Sequence, residues 1–277
     1  MSAVAAPAPL APAKRVSPVN ALQQTGTLVW RNLVQIKHNP MELLDLSIQP
    51  IMFVLLFAYV FGPPMSGSVS KYLPILIPGI IVQNALFASM TTGVGLNTDV
   101  TKGVFDRFRS LPISRLSPLA GRIVADTVKQ AWSMAILLLM GIIIGFRIET
   151  NWVNIVPAFL LLLAFALLFS WVSVFIGLIV SEPEKVQIFG FTVIFPITFL
   201  SNAFVPTKAN YPEWLSKVIE YNPVSQMADA IRGLLIGHDV QGHPQTVAEP
   251  ALHALLWGVA IAAVFAPLAM RAFKRRV

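Results

Sequence analysis

Long uninterrupted runs of apolar residues dominate the chain. Measured between consecutive charged residues, six intervals approach or exceed the roughly 20 residues that a helix needs to cross a bilayer. They are Leu46 to Ser70, Tyr72 to Thr98, Gln130 to Phe146, Thr150 to Ser181, Val186 to Thr207 and Pro250 to Met270. The third is short, but Arg122, Asp126 and Lys129 are spaced to pair along one helical face and extend it. The pattern predicts an all-α integral membrane protein with six transmembrane helices.

Composition supports this class and excludes a soluble enzyme. The 277 residues are 56% apolar and 12% charged, and that charged fraction is about half the usual one for soluble domains. Cysteine is absent, which excludes disulfides, thiolate nucleophiles and Cys-ligated metals. Most charges flank the apolar runs instead of forming a basic stripe, so the net charge of +7 does not indicate a nucleic-acid partner.

The distribution of Lys and Arg predicts that both termini are cytoplasmic. Six crossings place the termini on one side, and cytoplasmic segments carry the basic excess of membrane proteins. On this assignment 15 of the 20 basic residues are cytoplasmic, namely Lys14, Arg15, Arg31, Lys37, Lys102, Arg107, Arg109, Arg115, Arg122, Lys129, Lys185, Arg271, Lys274, Arg275 and Arg276. The external segments hold the others, Lys71, Arg147, Lys208, Lys217 and Arg232.

Two terminal segments flank the six-span region, residues 39–270. Residues 1–19 are rich in Ala and Pro and lack a cleavable signal, so we expect a disordered tail; residues 271–277 form a basic tail. Residues 20–38 show the pattern of an amphipathic helix in the inner membrane interface. Leu28 falls on its polar face, so a solvated helix leading into span 1 is the alternative. Asn39 and Pro40 are typical of a new helix start.

A short helix is predicted in the cytoplasmic connection between spans 2 and 3. Its apolar face consists of Val104, Phe108 and Leu111, and its polar face of Lys102, Asp106 and Arg109. Pro112 ends it, and Ser117 before Pro118 begins the next helix. Because so short a helix is marginal in water, something must hold it. Either its own membrane domain and anionic headgroups do so, or it docks in a groove of another protein.

The segment between spans 5 and 6 predicts two short external helices that dip into the membrane interface. Pro212 opens the first, and Asn222 with Pro223 begins the second. Asp229 and Arg232 lie three residues apart on the second helix and can pair, which reduces the cost of holding charge near lipid.

The motifs of several chemistries are missing. The sequence has no phosphate-binding P-loop and no zinc-protease or serine-hydrolase signature. The four histidines lie in different segments, so we predict no metal site; a weak alternative combines His238, Asp239 and His243. The middles of the spans are uncharged, which argues against an ion-coupled secondary transporter. The energy for transport must then be supplied at the cytoplasmic face.

Two motifs resemble one family. The run from Lys102 to Arg115, KGVFDRFRSLPISR, followed by Gly121 and Arg122, resembles the cytoplasmic signature of ABC type-2 export permeases, closest to the daunorubicin-resistance branch. The chain also resembles the second signature of that family, which precedes the last span. The residues that carry this resemblance are Phe204, Val205, Pro206, Pro212, Trp214, Leu215, Asn222, Pro223, Ala230, Ile231 and Arg232. Together the motifs extend the resemblance over nearly the whole chain.

The resemblance implies a membrane permease subunit in a bacterial plasma membrane, with no enzymatic activity or cofactor of its own. Members pair, usually as homodimers, and work with two ATP-binding-cassette subunits that bind ATP and Mg. The implied coupling helix, which docks on the ATPase, comprises Lys102, Gly103, Val104, Phe105, Asp106, Arg107, Phe108, Arg109, Leu111 and Pro112. The implied connecting helix, residues 20–38, carries Trp30, Arg31 and Lys37.

The family resemblance also places spans 1, 2 and 5 near the dimer axis, where cargo would pass. The polar and aromatic candidates there are Gln49, Phe53, Phe57, Gln83, Asn84, Phe87, Phe195 and Phe199. Ordinary interhelical hydrogen bonds explain the amides about as well. An aromatic, uncharged path favours an amphiphilic drug or lipid-like cargo; the alternatives are a polysaccharide or lipid-linked glycan, and, from another class, an ion-coupled carrier.

Overall fold

A computed structural model describes residues 23–31, 34, 40–104, 117–204, 211–238 and 243–276. The predicted all-α class is confirmed, since the described residues contain no strand and only an isolated bridge between His238 and Pro244. Residues 23–31 are helical. The later elements are α1 (Pro40–Leu56), a π-helical turn (Phe57–Phe61), α2 (Gly62–Ser66), α3 (Val69–Thr101), α4 (Ser117–Ile143), a 3-10 turn (Trp152–Asn154), α5 (Ile155–Ile179), α6 (Pro183–Phe199), α7 (Glu213–Tyr221), α8 (Pro223–Leu235) and α9 (Ala248–Arg276).

Five helical stretches are long and apolar enough to cross a membrane. They are Ser47–Ser66, Val69–Thr101, Ala120–Ile143, Trp152–Ile179 and Ala248–Phe273, and they correspond to predicted spans 1, 2, 3, 4 and 6. Predicted span 5 contains α6, which has 17 residues and ends at Phe199, well before Thr207. The helix ends early because the chain turns at residues 201–204, where Asn202 bonds to residues of α8.

Helix α3 forms the centre of the bundle. Its apolar stretch is 78% buried, compared with 11% for α9, so α3 is a core element and α9 a peripheral one. Helices α4, α5 and α6 all pack against α3. The main hydrophobic core is built around α3 residues such as Leu73, Leu76, Ile77 and Leu86.

Two glycines bring the backbones of α3 and α5 into contact. A Cβ atom on Gly177 would lie 2.3 Å from the Gly93 carbonyl oxygen, and one on Gly93 would lie 2.2 Å from the Ser173 oxygen. Membrane helices associate through such small-residue contacts because lipid provides no hydrophobic drive between them. The absence of a side chain at both positions therefore determines how close α5 lies to α3.

The bundle has two ends, which we call proximal and distal. At the proximal end, Asn97 donates to the Gly177 and Val180 carbonyls at 2.8 and 2.7 Å. Arg276 donates to the Leu178 and Val180 carbonyls at 2.6 and 2.8 Å. These bonds occupy carbonyls that the end of α5 leaves unpaired. The distal end contains the turn at Gly67, whose φ is +76°, and the 201–204 turn.

The predicted pairing that extends span 3 is confirmed, and it includes a further partner. Asp126 lies 3.6 Å from Arg122 and 3.5 Å from Lys129 on α4. Arg122 also pairs with Asp99 of α3. This pair joins the helices that enter and leave residues 105–116 at the proximal end.

Leu28, the residue that interrupted the polar face of the amphipathic pattern, has a packing role. A Cβ atom on Gly121 of α4 would lie 2.9 Å from the Leu28 Cβ atom. The N-terminal helical segment therefore packs against the start of α4. This contact accounts for an apolar side chain on that face.

Replacing Gly177 by Ala tests the contact between α3 and α5. The added methyl group meets the Gly93 carbonyl, and overpacking of this kind costs about 1–3 kcal/mol, so we expect a lower melting temperature of the detergent-solubilised protein. Gly26→Ala is the matched control, since no atom lies within 4 Å of a Cβ there and Ala is the better helix former. Equal melting temperatures for Gly177→Ala and the unsubstituted protein would contradict the contact.

Candidate functional site

A cavity of about 470 Å³ lies between α1 and α6, in front of α3 and α4. Its volume is in the range of small-molecule sites. The lining residues are Gln49, Pro50, Phe53, Ile80, Gln83, Asn84, Phe87, Ala88, Met90, Thr91, Val94, Gly95, Ser133, Gln187, Phe191, Phe195 and Phe199. None of these side chains carries a charge. Since Phe53 and Phe195 are partly exposed, the cavity is open between α1 and α6.

The structure brings the candidate pathway residues together. Seven of the eight line this cavity, and the eighth, Phe57, stacks on Phe53 with ring centroids 5.9 Å apart. Sequence reasoning missed four lining residues of the same polar or aromatic kinds, namely Thr91, Ser133, Gln187 and Phe191. Phe191 could have been found from its spacing of four residues before Phe195.

Four side-chain amides line the cavity, those of Gln49, Gln83, Asn84 and Gln187. Asn84 donates to the Ser133 hydroxyl at 2.9 Å, so this amide makes the interhelical bond considered as an alternative. The side-chain amide of Gln83, which is 5% exposed, makes no hydrogen bond to another residue in the described ranges. The same holds for the side-chain amides of Gln49 and Gln187, which are exposed. A buried amide such as that of Gln83 seeks a hydrogen-bond partner, and the exposed amides have room for one. These three amides are therefore available to a bound molecule.

Aromatic rings extend from the amides to the distal end of the bundle. The rings follow one another in the order Phe87, Phe191, Phe195, Phe199, Phe204 and Phe57. The centroids of successive rings are 5.6, 5.0, 4.2, 5.3 and 5.1 Å apart. The α6 members recur every four residues and so share one helical face. The rings form a continuous apolar surface beside the open cavity.

The 201–204 turn closes the distal end of this aromatic surface. Its last residue, Phe204, is 4% exposed and lies between Phe57 and Phe199. The Tyr72 hydroxyl of α3 donates to the Phe204 carbonyl at 3.0 Å. The Asn202 backbone N–H donates to the Ser225 hydroxyl of α8 at 3.0 Å. The turn is thus held by α3 and α8.

A buried cation strengthens that attachment. Arg232 is 3% exposed and donates to Asp229 at 2.7 Å, to the Asn202 carbonyl at 2.6 Å and to the Ile75 carbonyl at 3.4 Å. Burial lowers the pKa of Arg232, and the Asp229 carboxylate opposes this effect by its charge and its hydrogen bond. The Asn202 amide also donates to both Asp229 oxygens, at 3.0 and 2.9 Å. The predicted pairing of Asp229 with Arg232 is therefore confirmed.

The predicted start of the second short helix is also confirmed. Asn222 accepts a hydrogen bond from the Val224 N–H at 2.9 Å, and Pro223 is the first residue of α8. The Asn222 amide donates to the Ile197 and Leu200 carbonyls at the end of α6, at 2.7 and 2.8 Å. The same residue thus caps α8 and fixes it to α6. His238 contacts Glu149 at 2.9 Å, whereas Asp239 lies outside the described residues.

Only part of the implied coupling and connecting helices lies in the described ranges. Gly103, with φ of +65°, ends α3 next to the exposed Lys102, and Val104 follows. Trp30 and Arg31 are exposed on the N-terminal helical segment. The candidates outside the described residues are Lys37, Phe105, Asp106, Arg107, Phe108, Arg109, Leu111 and Pro112.

Comparison with known proteins identifies the family. The family model described as ABC-2 type transporter matches residues 23–236. The daunorubicin resistance ABC transporter permease protein DrrB1 of Streptomyces coeruleorubidus is 34% identical over 96% of this chain and 92% of its own length. A probable doxorubicin resistance ABC transporter permease protein, DrrC of Mycobacterium tuberculosis, is 27% identical over 70% of this chain and 68% of its own.

A more distant relative is named only as a permease. The putative transport permease ycf38 of Cyanophora paradoxa is 25% identical over 77% of this chain and 74% of its own length. These relatives are named as permeases and not as enzymes. The chain therefore belongs to the ABC-2 type transporter family, as a permease related to those of drug-resistance ABC transporters.

Proposed function

We propose that this chain is the membrane subunit of an exporter that moves an amphiphilic, drug-like or lipid-like compound out of the cell. The observation that carries the proposal is the uncharged cavity, in which unpartnered amides adjoin a continuous aromatic surface. Amides bind the polar part of such a cargo, and the rings bind its apolar part. The names of the relatives, which refer to daunorubicin and doxorubicin resistance, support a drug. A long hydrophilic glycan suits an aromatic lining less well.

The proposed topology places the proximal end in the cytoplasm of a bacterial cell and the distal end outside. The described basic residues support this, because Lys102, Arg122, Lys129 and Arg276 lie at the proximal end and cytoplasmic segments carry the basic excess. Helix α6 would supply the sixth crossing. At 1.5 Å per residue its 17 residues span about 26 Å, slightly less than a hydrocarbon core of about 30 Å. Helices α7 and α8 would lie in the outer interface.

A second copy of the chain would cover the open side of the cavity. The helices on either side of the opening expose large apolar residues, namely Met52, Phe53, Leu56, Tyr59 and Val60 on or next to α1 and Ile188, Phe189, Phe191 and Phe195 on α6. In a membrane such side chains face either lipid or another protein, and the pairing of members that the family resemblance implies supports a second copy here. A homodimer would enclose cargo between two uncharged halves, with lipid around it.

Two copies of an ATP-binding-cassette subunit, which bind ATP and Mg, would drive transport from the cytoplasmic face. The implied coupling helix directly follows α3, and the ion pair between Asp99 and Arg122 joins α3 to α4 on the far side of that segment. Force applied to residues 102–112 would therefore reach two cavity-lining helices together. The cavity would then alternate between access from inside and access from outside.

Shortening an aromatic side chain in the cavity tests the cargo site. Phe195→Ala removes a ring that stacks on both Phe191 and Phe199. An aromatic contact contributes about 1 kcal/mol, which corresponds to roughly a fivefold change in affinity. We expect cells that produce the variant with its ATPase to tolerate correspondingly less daunorubicin. Phe265→Ala is the control, because it removes a ring that stacks on Phe175 outside the cavity. Equal losses for the two variants would contradict the site.

Reversing two charges in the implied coupling helix tests whether this helix couples ATP hydrolysis to export. Arg107→Glu combined with Arg109→Glu changes a docking surface and leaves the membrane core intact. We expect ATP hydrolysis to become uncoupled from export, measured as drug transport per ATP in vesicles, while the solubilised protein keeps its melting temperature. Arg147→Glu, a reversal at an exposed distal position, is the control. Normal export together with normal capture of the ATPase by the double variant would refute the assignment.

A further inference from the structure

We propose that the contact between Phe57 and Phe204 is the outer gate of the cavity, with the 201–204 turn as its fixed side and α1 as its moving side. This inference rests on the proposed export of cargo through the cavity. It concerns a pair of residues for which the family resemblance implies no such role.

The position of Phe204 makes it the closing residue. The aromatic surface that begins beside the amides reaches Phe199 at the last residue of α6. Phe204 contacts Phe199 on one side at 5.3 Å and Phe57 on the other at 5.1 Å. It therefore joins the two helices that border the opening of the cavity. A molecule that moves along the rings towards the distal end meets this contact last.

The turn is the fixed side because hydrogen bonds attach it to two other helices. Arg232 of α8 acts as the positioning residue: it holds the Asn202 carbonyl and the Ile75 carbonyl of α3 with one guanidinium group. Tyr72 holds the Phe204 carbonyl itself. In addition, a Cβ atom on Gly79 would lie 1.9 Å from the Ala203 oxygen, so the turn rests directly on the α3 backbone. Displacing the turn would break all of these contacts together.

Phe57, on the other side of the contact, lies in a less buried and less regular part of the chain. Phe57 begins the π-helical turn that follows α1, and π-helical turns interrupt the regular hydrogen-bond ladder, frequently at functional sites. The stretch Ser47–Ser66 that contains it is 22% buried, far less than α3. Towards the 201–204 turn it presents a ring contact and no described hydrogen bond. The geometry therefore favours separation of Phe57 from Phe204 by movement of the α1 side.

The test uses the absence of cysteine in the natural chain, so that a double variant carries only the two thiols introduced. Phe57→Cys with Phe204→Cys is produced together with the cassette ATPase in inverted membrane vesicles. It is treated with a membrane-permeant bifunctional methanethiosulfonate. We expect linking without nucleotide and much less linking after trapping with ATP and vanadate. Absence of a link without nucleotide, or equal linking in both states, would overturn the gate whatever the cargo is.

Transport provides the second readout, with daunorubicin as the probe. Linked protein should lose most ATP-driven daunorubicin uptake into the vesicles, and reductant should restore it. Glu149→Cys with His238→Cys is the matched control, because this distal pair lies 2.9 Å apart and belongs to neither side of the gate. Full transport by the linked Phe57/Phe204 variant would refute the gate. Failure of the unsubstituted protein to transport daunorubicin would instead refute the drug cargo, while nucleotide-dependent linking still decides the gate.

A milder substitution covers the case in which the double variant does not fold. Phe57→Leu replaces the ring on the α1 side of the gate by a smaller side chain. We expect several times more daunorubicin to leak through this variant without ATP than through the unsubstituted protein. Phe61→Leu is the control, because Phe61 is partly exposed, stacks on Phe57 at 5.0 Å and makes no described ring contact with Phe204. Equal leakage in both variants would contradict the gate.

Discussion

The close contact between α3 and α5 is the constraint on which the rest of the structure depends. With backbone atoms in van der Waals contact at Gly93 and Gly177, one face of α3 is fully used in packing. At 100° per residue, Asn84 and Thr91 project from the opposite face. That face is where the cavity forms, because α1 and α6 stand apart in front of it. A side chain at either glycine would separate α5 from α3 and disturb the core that supports the cavity.

Charge is kept at the two ends of the bundle, and the middle is left neutral. Asp99, Arg122 and Asp126 pair at the proximal end, and Asp229 and Arg232 pair at the distal end. An unpaired charge between them would be costly in a low-dielectric interior. The neutral cavity therefore holds no strong electrostatic trap for the amphiphilic cargo that we propose.

Local patterns predicted much of this fold from sequence. The charge intervals predicted six spans, five of which correspond to helices long and apolar enough to cross a membrane. Caps such as Asn222 with Pro223 marked helix starts. Both signals involve neighbouring residues. The early end of α6 depends on Asn202 bonding to Ser225 and Asp229, more than 20 residues later. Likewise, pairing of Asp229 with Arg232 was predictable from spacing, whereas the bond to Ile75, separated by 157 residues, was not. Tertiary contacts of this range leave no periodic signal in the sequence.

The difference in contact types explains how one chain can be both rigid and movable. A hydrogen bond to a charged group contributes about 1.5–3 kcal/mol, and three such bonds join Asn202 of the 201–204 turn to Arg232 and Asp229 of α8. An aromatic pair contributes about 0.5–1.5 kcal/mol beyond its area burial. In the mechanism that we propose, a movement imposed from the proximal end would therefore separate the rings of Phe57 and Phe204 before it detached the turn from α3 and α8. The proposed gate therefore lies at the distal end of the cavity, which is the end that the proposed topology places outside the cell.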